Sequence, residues 1–468
     1  MTATALASVS WGVLALGAVY PWAYWPVLWG ALITGLMGLH RGSGFLQTFR
    51  HPLLLSAVAL CCAVLLQLIP LSPWVLRTVS PSTHAFVQAY MTLPDEVVTT
   101  ATNGTAAGPA GAAQPLSLRP RATVTSLVFV LAFGVAIAGA ATGLGAKDAR
   151  HLATGLLVLG TIVAFIAILQ RAMPDEQVYW LWERRYRNMA WGPFVNRNHF
   201  AGWMVMTISV GLGYFMAVCS RAMRGIDGWR NRVLWLSSSE ATGIVLAGIA
   251  VAIMGFSLAL TASRSGTICL IVTVLVVCVA AMRRQAHTAM PRQRHTLMVM
   301  YVAGFAFFTV VWTALPVIAE RFSDSNPTSP LSAGGRIVHW NDAFQVARRF
   351  PVTGTGLNTF TFVTPFFKTG GMANSDEAHN DYLQLAAEGG LLVGIPAIVL
   401  VVVFIREVRR RFDAAKHSLT SYWIRVGAVA GLIAIAMQET VEFSLQLPGN
   451  AVMFTALCAL AVHRAEGE

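Results

Sequence analysis

Long apolar runs separated by short polar loops dominate the chain. An α-helix rises about 1.5 Å per residue, so about 20 apolar residues cross the hydrocarbon of a bilayer, about 30 Å thick. Runs near that length predict twelve membrane-spanning helices, and Pro21 and Pro26 allow the first two to be tilted or partly interfacial. Their predicted bounds are 5–21, 24–39, 52–70, 123–144, 152–170, 199–219, 241–261, 266–282, 296–316, 388–405, 421–438 and 448–463.

The composition also indicates a membrane protein. Of the 468 residues, 56% are hydrophobic and 12% are charged, whereas soluble domains are about 45–50% apolar and about 25% charged. All six cysteines lie within apolar runs, so we predict neither a structural disulfide nor a cysteine zinc site. The first basic side chain is Arg41, so we do not expect a cleavable signal peptide.

The loop charges predict the orientation of the helices. Cytoplasmic loops of membrane proteins are enriched in Lys and Arg. One alternate set of loops holds 18 basic residues against seven acids, which accounts for nearly all of the net charge of +12 and makes both termini cytoplasmic. The distribution of basic residues between the loops therefore explains the positive net charge. We predict no nucleic-acid partner. Thirteen of the 14 basic residues on the external side are arginine, whose fork binds phosphate bidentately, although pairing with acids or lipid headgroups explains many of them.

Three external loops are long. We predict transmembrane helices 1 to 9 in residues 1–316, with external loops 71–122 and 171–198, a large external loop at 317–387, and helices 10 to 12 in 388–468. The first loop contains a linker-like tract, the second is aromatic and basic, and the third contains an amphipathic helix from Arg336 to Phe350. We expect that helix to rest on the bilayer or on the helix bundle.

Three polar motifs precede spans that run inward from the external face. They are Asn196-Arg197-Asn198-His199, Ser263-Arg264-Ser265-Gly266 and Asp376-Glu377-Ala378-His379-Asn380-Asp381. The N-terminus of a helix presents unpaired N–H groups and a positive dipole end, and an adjacent arginine strengthens the attraction for phosphate. The alternatives are an arginine that snorkels to headgroups and, at 263–266, a tight turn that needs small residues. The matching positions of Arg197 and Arg264 favour an anion site.

His379 is the histidine best placed to accept a proton from a sugar hydroxyl. His199 and His339 are weaker candidates, and a capping role is the common alternative for a lone loop histidine. Asp376 with His379 forms at most half of a metal site, so we predict no metal. Gly354-Thr355-Gly356 allows either a close approach to phosphate or a turn after Pro351.

The segments RIVHWNDAFQVARRFPVTGTGLNTF and HNDYLQLAAEGGLLVG and the SRSG turn resemble the bacterial O-antigen ligase and polymerase superfamily. The resemblance covers roughly residues 190 to 405. Its most specific element is His379-Asn380 followed by Gly390. Family members often have a second glycine three positions after the residue that corresponds to Gly390. This chain has Val393 at that position and Gly394 one residue later, so the departure concerns the exact start of the helix and not the histidine.

The resemblance implies an all-α, GT-C-like polytopic membrane protein with about 12 transmembrane helices and a periplasmic helical subdomain. The implied enzyme is a glycosyltransferase of the inner membrane that needs no cofactor. It transfers polysaccharide from undecaprenyl diphosphate to lipid A-core and inverts the anomeric centre of the transferred sugar. Its partners are these two substrates and the surrounding membrane lipids. By resemblance, Arg197 and Arg264 hold the diphosphate and His379 activates the acceptor hydroxyl. Further substrate-binding candidates are Arg184, Arg185, Arg187, His199, Arg336, His339, Arg348, Arg349 and Asn380.

Three other functions stay open. An O-antigen polymerase uses the same donor with a second lipid-linked repeat as acceptor, and a protein O-oligosaccharyltransferase usually has a longer C-terminal region. A transporter or flippase fits twelve helices, but we find neither a clear internal repeat nor many ionisable residues within the spans. The external histidine motif favours the ligase.

Overall fold

The computed structural model describes residues 1–42, 50–91, 113–172, 178–179, 191–222, 230, 239–285, 333–368, 377–415 and 418–465. Their regular structure is helical, with two isolated β-bridges. In chain order the α-helices are α1 Thr2–Leu14, α2 Pro21–Arg41, α3 Pro52–Leu66, α4 Pro73–Val79, α5 Pro81–Tyr90, α6 Pro120–Gly143, α7 Ala146–Ala172, α8 Arg197–Ala222, α9 Ser239–Leu260, α10 Arg264–Gln285, α11 Ala333–Arg349, α12 Phe360–Val363, α13 Asp381–Ala414, α14 Leu419–Gln438 and α15 Pro448–Val462.

Eight helices in the described part of the chain are long and apolar enough to span a membrane. They are α2, α6, α7, α8, α9, α10, α13 and α14, and each corresponds to a predicted span. Many of their large apolar side chains are exposed, as on Trp29, Leu246, Leu275 and Ile398. The chain is therefore a multi-pass membrane protein, and its regular structure in the described residues is helical.

Three further predicted spans correspond to shorter apolar helices, α1, α3 and α15. Helix α1 ends at Leu14 because Leu16, Gly17 and Ala18 have positive φ angles, which an α-helix cannot contain. The prediction of one continuous helix over 5–21 was therefore wrong. The predicted span 296–316 lies outside the described residues, so the total of twelve stays a prediction.

The chain divides into two compact units. The first comprises Met1–His51, Val135–Ser325 and Ile405–Glu468, and the second comprises Pro52–Gly134 and Asn326–Phe404.

Among the described membrane helices of the first unit, α8 is the most buried, and its residues from His199 to Gly213 are all buried. It packs against α7, α9, α10 and α14. The backbones of α8 and α14 approach closely, since a Cβ on Gly427 would lie 2.8 Å from the Cα of Gly213. This helix begins at Arg197, so one predicted site residue is fixed to the interior scaffold of the unit.

Arg425, in α14 of the same unit, is fully buried and caps the ends of two other helices. Its guanidinium donates to the carbonyl oxygens of Arg411 at 2.6 Å, Ala461 at 2.9 Å and His463 at 2.7 Å. The last carbonyls of a helix have no partner within it, so a buried helix end requires donors of this kind. One side chain thus closes the C-terminal ends of α13 and α15.

We expect Arg425→Leu to destabilise the folded protein by at least about 3 kcal/mol, because three buried carbonyl groups lose a charged donor. Arg425→Lys should recover only part of the loss, since a single ammonium cannot reproduce the fork. The loss of stability is measured as the midpoint of thermal unfolding in detergent. A thiol dye that reacts with the buried cysteines as they become exposed monitors the unfolding. Arg409→Leu, at an exposed position of α13, is the control. An Arg425→Leu midpoint equal to that of the control would contradict this role.

The second unit contains a helical subdomain with an aromatic core. Its members come from the first external loop and from the large one, and they are Phe86, Val87, Leu118, Ala343, Val346, Phe350, Phe360, Val363, Ala378 and Ala387. The helices α4 and α5 of the first loop were not anticipated. The amphipathic helix predicted at 336–350 is confirmed as α11. One of its faces contributes Ala343 and Val346 to this core, while the apolar side chains of Ile337 and Phe344 remain exposed.

Helix α13 is broken at Gly390, whose φ of 55° and ψ of −159° suit glycine alone. The N–H groups of Leu391 and Leu392 donate to the carbonyls of Pro351 and Val352, at 2.9 and 2.8 Å. The part of α13 before the break belongs to the helical subdomain and supports the His379 motif.

Candidate functional site

Arg197 and Arg264 are the first residues of α8 and α10. The Oδ1 atom of Asn196 accepts from the N–H of Asn198 at 2.8 Å, and the Oγ atom of Ser263 accepts from the N–H of Gly266 at 3.3 Å. Asn196 and Ser263 therefore cap the starts of α8 and α10. Arg197 is half-buried and Arg264 is exposed. Each guanidinium thus follows a capped helix start, where the dipole favours an anion.

Asn198 joins the starts of α8 and α10. Its Oδ1 atom accepts from the hydroxyl of Ser263 at 3.0 Å, and its Nδ2 atom donates to Oε1 of Glu442 at 2.8 Å. Its backbone carbonyl accepts from Nε2 of Gln438 at 3.0 Å. The structure therefore brings the Arg197 and Arg264 motifs together through hydrogen bonds between their own neighbours.

Sequence reasoning missed the acidic residues beside this junction. Glu439 and Glu442, each 1% exposed, lie in the short segment between α14 and α15. Glu442 contacts Asn198, and Oε2 of Glu439 accepts from the N–H of Leu445 at 3.3 Å. The sequence feature that could have identified them is the presence of two acidic residues in a short connection between two apolar spans. The buried carboxylate of Glu442 accepts from Asn198, the residue that follows Arg197, and therefore orients that amide at the start of α8.

The 263–266 motif also has the features of a tight turn. Ala262 has a φ of 51°, and a Cβ on Gly266 would lie 2.7 Å from the Cβ of Ala201 on α8. Small residues are therefore needed for the turn and for close packing of the two helices. Arg264 meets neither need, because its side chain is exposed. Both interpretations hold at this motif, each for different residues.

His199 lies inside the first unit, with 5% of its surface exposed. Its ring meets that of Phe443 edge-on, with the centroids 4.6 Å apart, and its carbonyl accepts from Nδ2 of Asn450 at 3.1 Å. These contacts give His199 a packing role at the start of α8. A part in substrate binding stays a prediction.

His379 lies in the second unit, two residues before α13, and has a φ of 52°. A left-handed backbone at a residue other than glycine is uncommon and costs about 1 kcal/mol or more. Its carbonyl accepts from the indole Nε1 of Trp340 at 3.2 Å. The next residue, Asn380, caps α13 by accepting from the N–H of Leu383 at 3.0 Å.

His339 stacks on His379, with the ring centroids 5.9 Å apart and the planes at 29°. It is 7% exposed, and burial, together with the charges of His379 and Lys368, holds its pKa below the ordinary value, while Asp342 opposes the shift. A neutral imidazole near physiological pH can accept a proton. The structure thus brings together two of the predicted histidines, with Asn380 beside them.

Buried hydrogen bonds from side chains of α13 hold the His379 motif in place. Gln384 of α13 accepts from the N–H of Ala378 at 3.0 Å and donates to Oε2 of Glu377 at 2.6 Å. One turn further along α13, Glu388 accepts from the N–H groups of Asn358 at 2.7 Å, Thr359 at 3.0 Å and Phe360 at 2.8 Å. The segment that presents His379 is therefore bound to the same helix that it precedes.

The Gly354-Thr355-Gly356 segment is a turn. Both glycines have positive φ, and the N–H groups of Thr355 and Gly356 donate to the carbonyls of Ala387 and Glu388, at 3.2 and 2.9 Å. These donors are already used within the protein, so the turn interpretation is favoured over a phosphate cradle.

The remaining predicted arginines have different positions. Arg336 lies one turn before His339 on α11, whereas Arg348 and Arg349 are exposed at the other end of α11, about 14 Å further along. Their roles in substrate binding stay predictions. Arg184, Arg185 and Arg187 lie outside the described residues, as does Asp376.

We expect Asn198→Ala to lower transfer activity about tenfold to a hundredfold, because it removes the hydrogen bonds that join Ser263 and Glu442. The measurement is the transfer rate of the purified variant. Thr440→Ala is the control, since this exposed hydroxyl donates to the carbonyl of Met437 at 2.7 Å within its own turn. Equal rates for the two variants would remove Asn198 from the site.

Comparison with known families identifies one match. Residues 249–398, about a third of the chain, match the family model described as O-antigen ligase. This confirms the resemblance seen in the sequence. The matched span contains Arg264, His339 and His379 and ends before Glu442. A search of curated proteins finds no match.

Proposed function

We propose that this member of the O-antigen ligase superfamily transfers polysaccharide from undecaprenyl diphosphate to a sugar hydroxyl of lipid A-core. The reaction takes place on the periplasmic face of the inner membrane, inverts the anomeric centre and needs no metal. The family match supports a membrane glycosyltransferase of the ligase or polymerase type. The external histidine motif favours the ligase within that class.

One observation carries the proposal: two arginines begin two helices whose starts are hydrogen-bonded to each other through Asn198 and Ser263. A diphosphate has two phosphate groups close together, and each helix start supplies a guanidinium and a positive dipole end. The pairing of two such ends therefore suits a diphosphate better than a single anion.

The proposed reaction is a single displacement. The acceptor hydroxyl oxygen forms a bond to the anomeric carbon of the donor sugar, while the bond between that carbon and the diphosphate oxygen breaks. Undecaprenyl diphosphate leaves with the electron pair, and Arg197 and Arg264 stabilise its growing negative charge. The proton of the hydroxyl passes to the imidazole of His379. Attack from the face opposite to the leaving group inverts the anomeric centre.

We expect a metal chelator to leave the transfer rate within about twofold of its starting value, because arginine supplies the positive charge that a metal supplies in other transferases. Purified protein treated with EDTA and assayed before and after the addition of Mg²⁺ or Mn²⁺ tests this. Strong inhibition that a divalent ion reverses would contradict the metal-independent mechanism.

Reconstitution with defined substrates tests the proposed function. The purified chain in liposomes receives lipid-linked polysaccharide with either lipid A-core or a second lipid-linked repeat as the acceptor. We expect a glycosidic product with lipid A-core. A product with the lipid-linked repeat alone would identify a polymerase, and no product with either acceptor would refute the transferase.

A further inference from the structure

A cavity of about 300 Å³ lies in the first unit, at the end of α8 opposite to Arg197. Arg150 of α7, Tyr214, Val218 and Arg221 of α8, and Thr420 of α14 contribute to its lining. It has no part in the proposed transfer reaction, because it adjoins the far ends of the helices.

The position of the cavity corresponds to a headgroup layer. Arg221 follows Arg197 by 24 residues, which is about 36 Å along a straight helix. The hydrocarbon of a bilayer is about 30 Å thick, and the headgroups add several ångströms on each side. If Arg197 lies at one surface of the membrane, Arg221 lies at the headgroups of the other. The sequence assigns Arg150 and Arg221 to the same basic, cytoplasmic set of loops.

The two arginines at the cavity place positive charge beside it. Both are exposed, and within the described residues no carboxylate forms an ion pair with either. Asp148, the nearest acid in sequence to Arg150, instead contacts Arg41 at 3.4 Å and the hydroxyl of Thr2 at 3.0 Å. An anion bound between Arg150 and Arg221 would therefore meet two guanidinium groups.

The lining suits an amphiphile better than a small soluble anion. Tyr214, Val218 and Arg221 lie in succession on one face of α8. Tyr214, with its hydroxyl, therefore lies about 10 Å from Arg221 along the helix. Alanine and valine side chains form the wall between them. An inorganic phosphate would use the arginines and leave this apolar wall empty, whereas a phospholipid presents a phosphodiester, a glycerol and the start of its chains in that order.

We propose that this cavity binds the phosphodiester headgroup of an anionic phospholipid of the inner leaflet. The guanidinium groups of Arg150 and Arg221 bind the phosphate oxygens, and the hydroxyl of Thr420 provides a further donor. The glycerol and the first chain atoms lie against Val218 and reach towards the hydroxyl of Tyr214. Basic pockets between membrane helices at the cytoplasmic surface bind acidic headgroups for the same electrostatic reason.

Native mass spectrometry of the full-length protein in detergent tests the site. The protein is titrated with phosphatidylglycerol or phosphatidylcholine, and the first bound lipid is quantified. We expect phosphatidylglycerol to bind at least tenfold more tightly than phosphatidylcholine, and Arg150→Gln with Arg221→Gln to remove that preference. Val218→Phe, which fills the cavity without a change of charge, should weaken binding to a similar extent.

The control pair is Lys147→Gln with Arg283→Gln, which removes the same charge from exposed positions of α7 and α10 outside the cavity. This pair should leave the preference intact. An equal loss in the control pair, or full binding in Val218→Phe, would mean diffuse attraction to the surface and would overturn the proposal. Displacement of the lipid by an equal concentration of inorganic phosphate or glycerophosphoglycerol would identify a soluble anion instead.

Discussion

Arg264→Ala is expected to lower the rate of glycan transfer by about 10³-fold, while the protein remains folded and inserted in the membrane. The guanidinium follows the capped start of α10 and is exposed. It therefore contributes little to packing and much to the stabilisation of a departing diphosphate, and the loss of one preorganised donor costs about 10²–10³-fold. Arg197→Ala should act in the same direction at the partner helix.

Two further variants make this result specific. Arg264→Lys keeps the charge but loses the bidentate fork, so we expect an intermediate rate. Arg121→Ala is the matched control, because Arg121 is also an exposed arginine in the first turn of a helix, α6, without a second helix start joined to it by hydrogen bonds in the described residues. Near-normal activity of Arg264→Ala, or an equal loss in Arg121→Ala, would refute the diphosphate role.

The second large effect is expected at His379. Its replacement should lower transfer by about 10²–10⁴-fold, the range for loss of a general base, and should leave donor binding unchanged. The left-handed backbone at this position complicates alanine substitution, so His379→Asn is the sharper variant, because asparagine tolerates a positive φ. It removes the base and preserves the conformation of the loop.

His339→Gln serves as the comparison for His379→Asn. Burial favours the neutral form of His339, so its protonation at acidic pH opposes folding. Its pKa is lower in the folded than in the unfolded protein. The stability that the neutral imidazole of His339 contributes above about pH 6.5 is therefore lost as the pH falls below that value. We expect His339→Gln to reduce the acid sensitivity of thermal unfolding, and to impair transfer less than His379→Asn does. Full activity of His379→Asn would remove it as the base.

The sequence predicted features that depend on local chemistry. The starts of α8 and α10 follow from the capping side chains of Asn196 and Ser263. The apolar runs predicted all eight helices in the described residues that are long enough to span the membrane. Helix α11 followed from its apolar spacing and from Pro351. Each of these signals lies within a few residues of the element that it specifies.

Features that depend on distant partners were not predicted. Glu442 joins Asn198 across 244 positions of sequence, and Gln67 donates to the carbonyl of Thr353 across 286. The break at Gly390 depends on carbonyl acceptors in the 351–352 turn, and the end of α1 depends on positive φ angles that Leu16 and Ala18 do not favour. Periodicity contains no information on such pairings, because they form only when the chain is folded.

The account depends most on the side of the membrane that each motif faces. In a variant without native cysteines, single cysteines replace Val195, Ser265 and Tyr382, within or beside the three motifs. Others replace Lys147 and Arg283, at the ends of α7 and α10 that adjoin the basic loops. A membrane-impermeant maleimide applied to intact spheroplasts should label the first three positions, and should label the last two only after permeabilisation. Two results would contradict a periplasmic transfer site. One is labelling, from outside, of the cysteine at position 147 or 283, and the other is the absence of labelling at one or more of the three motif positions.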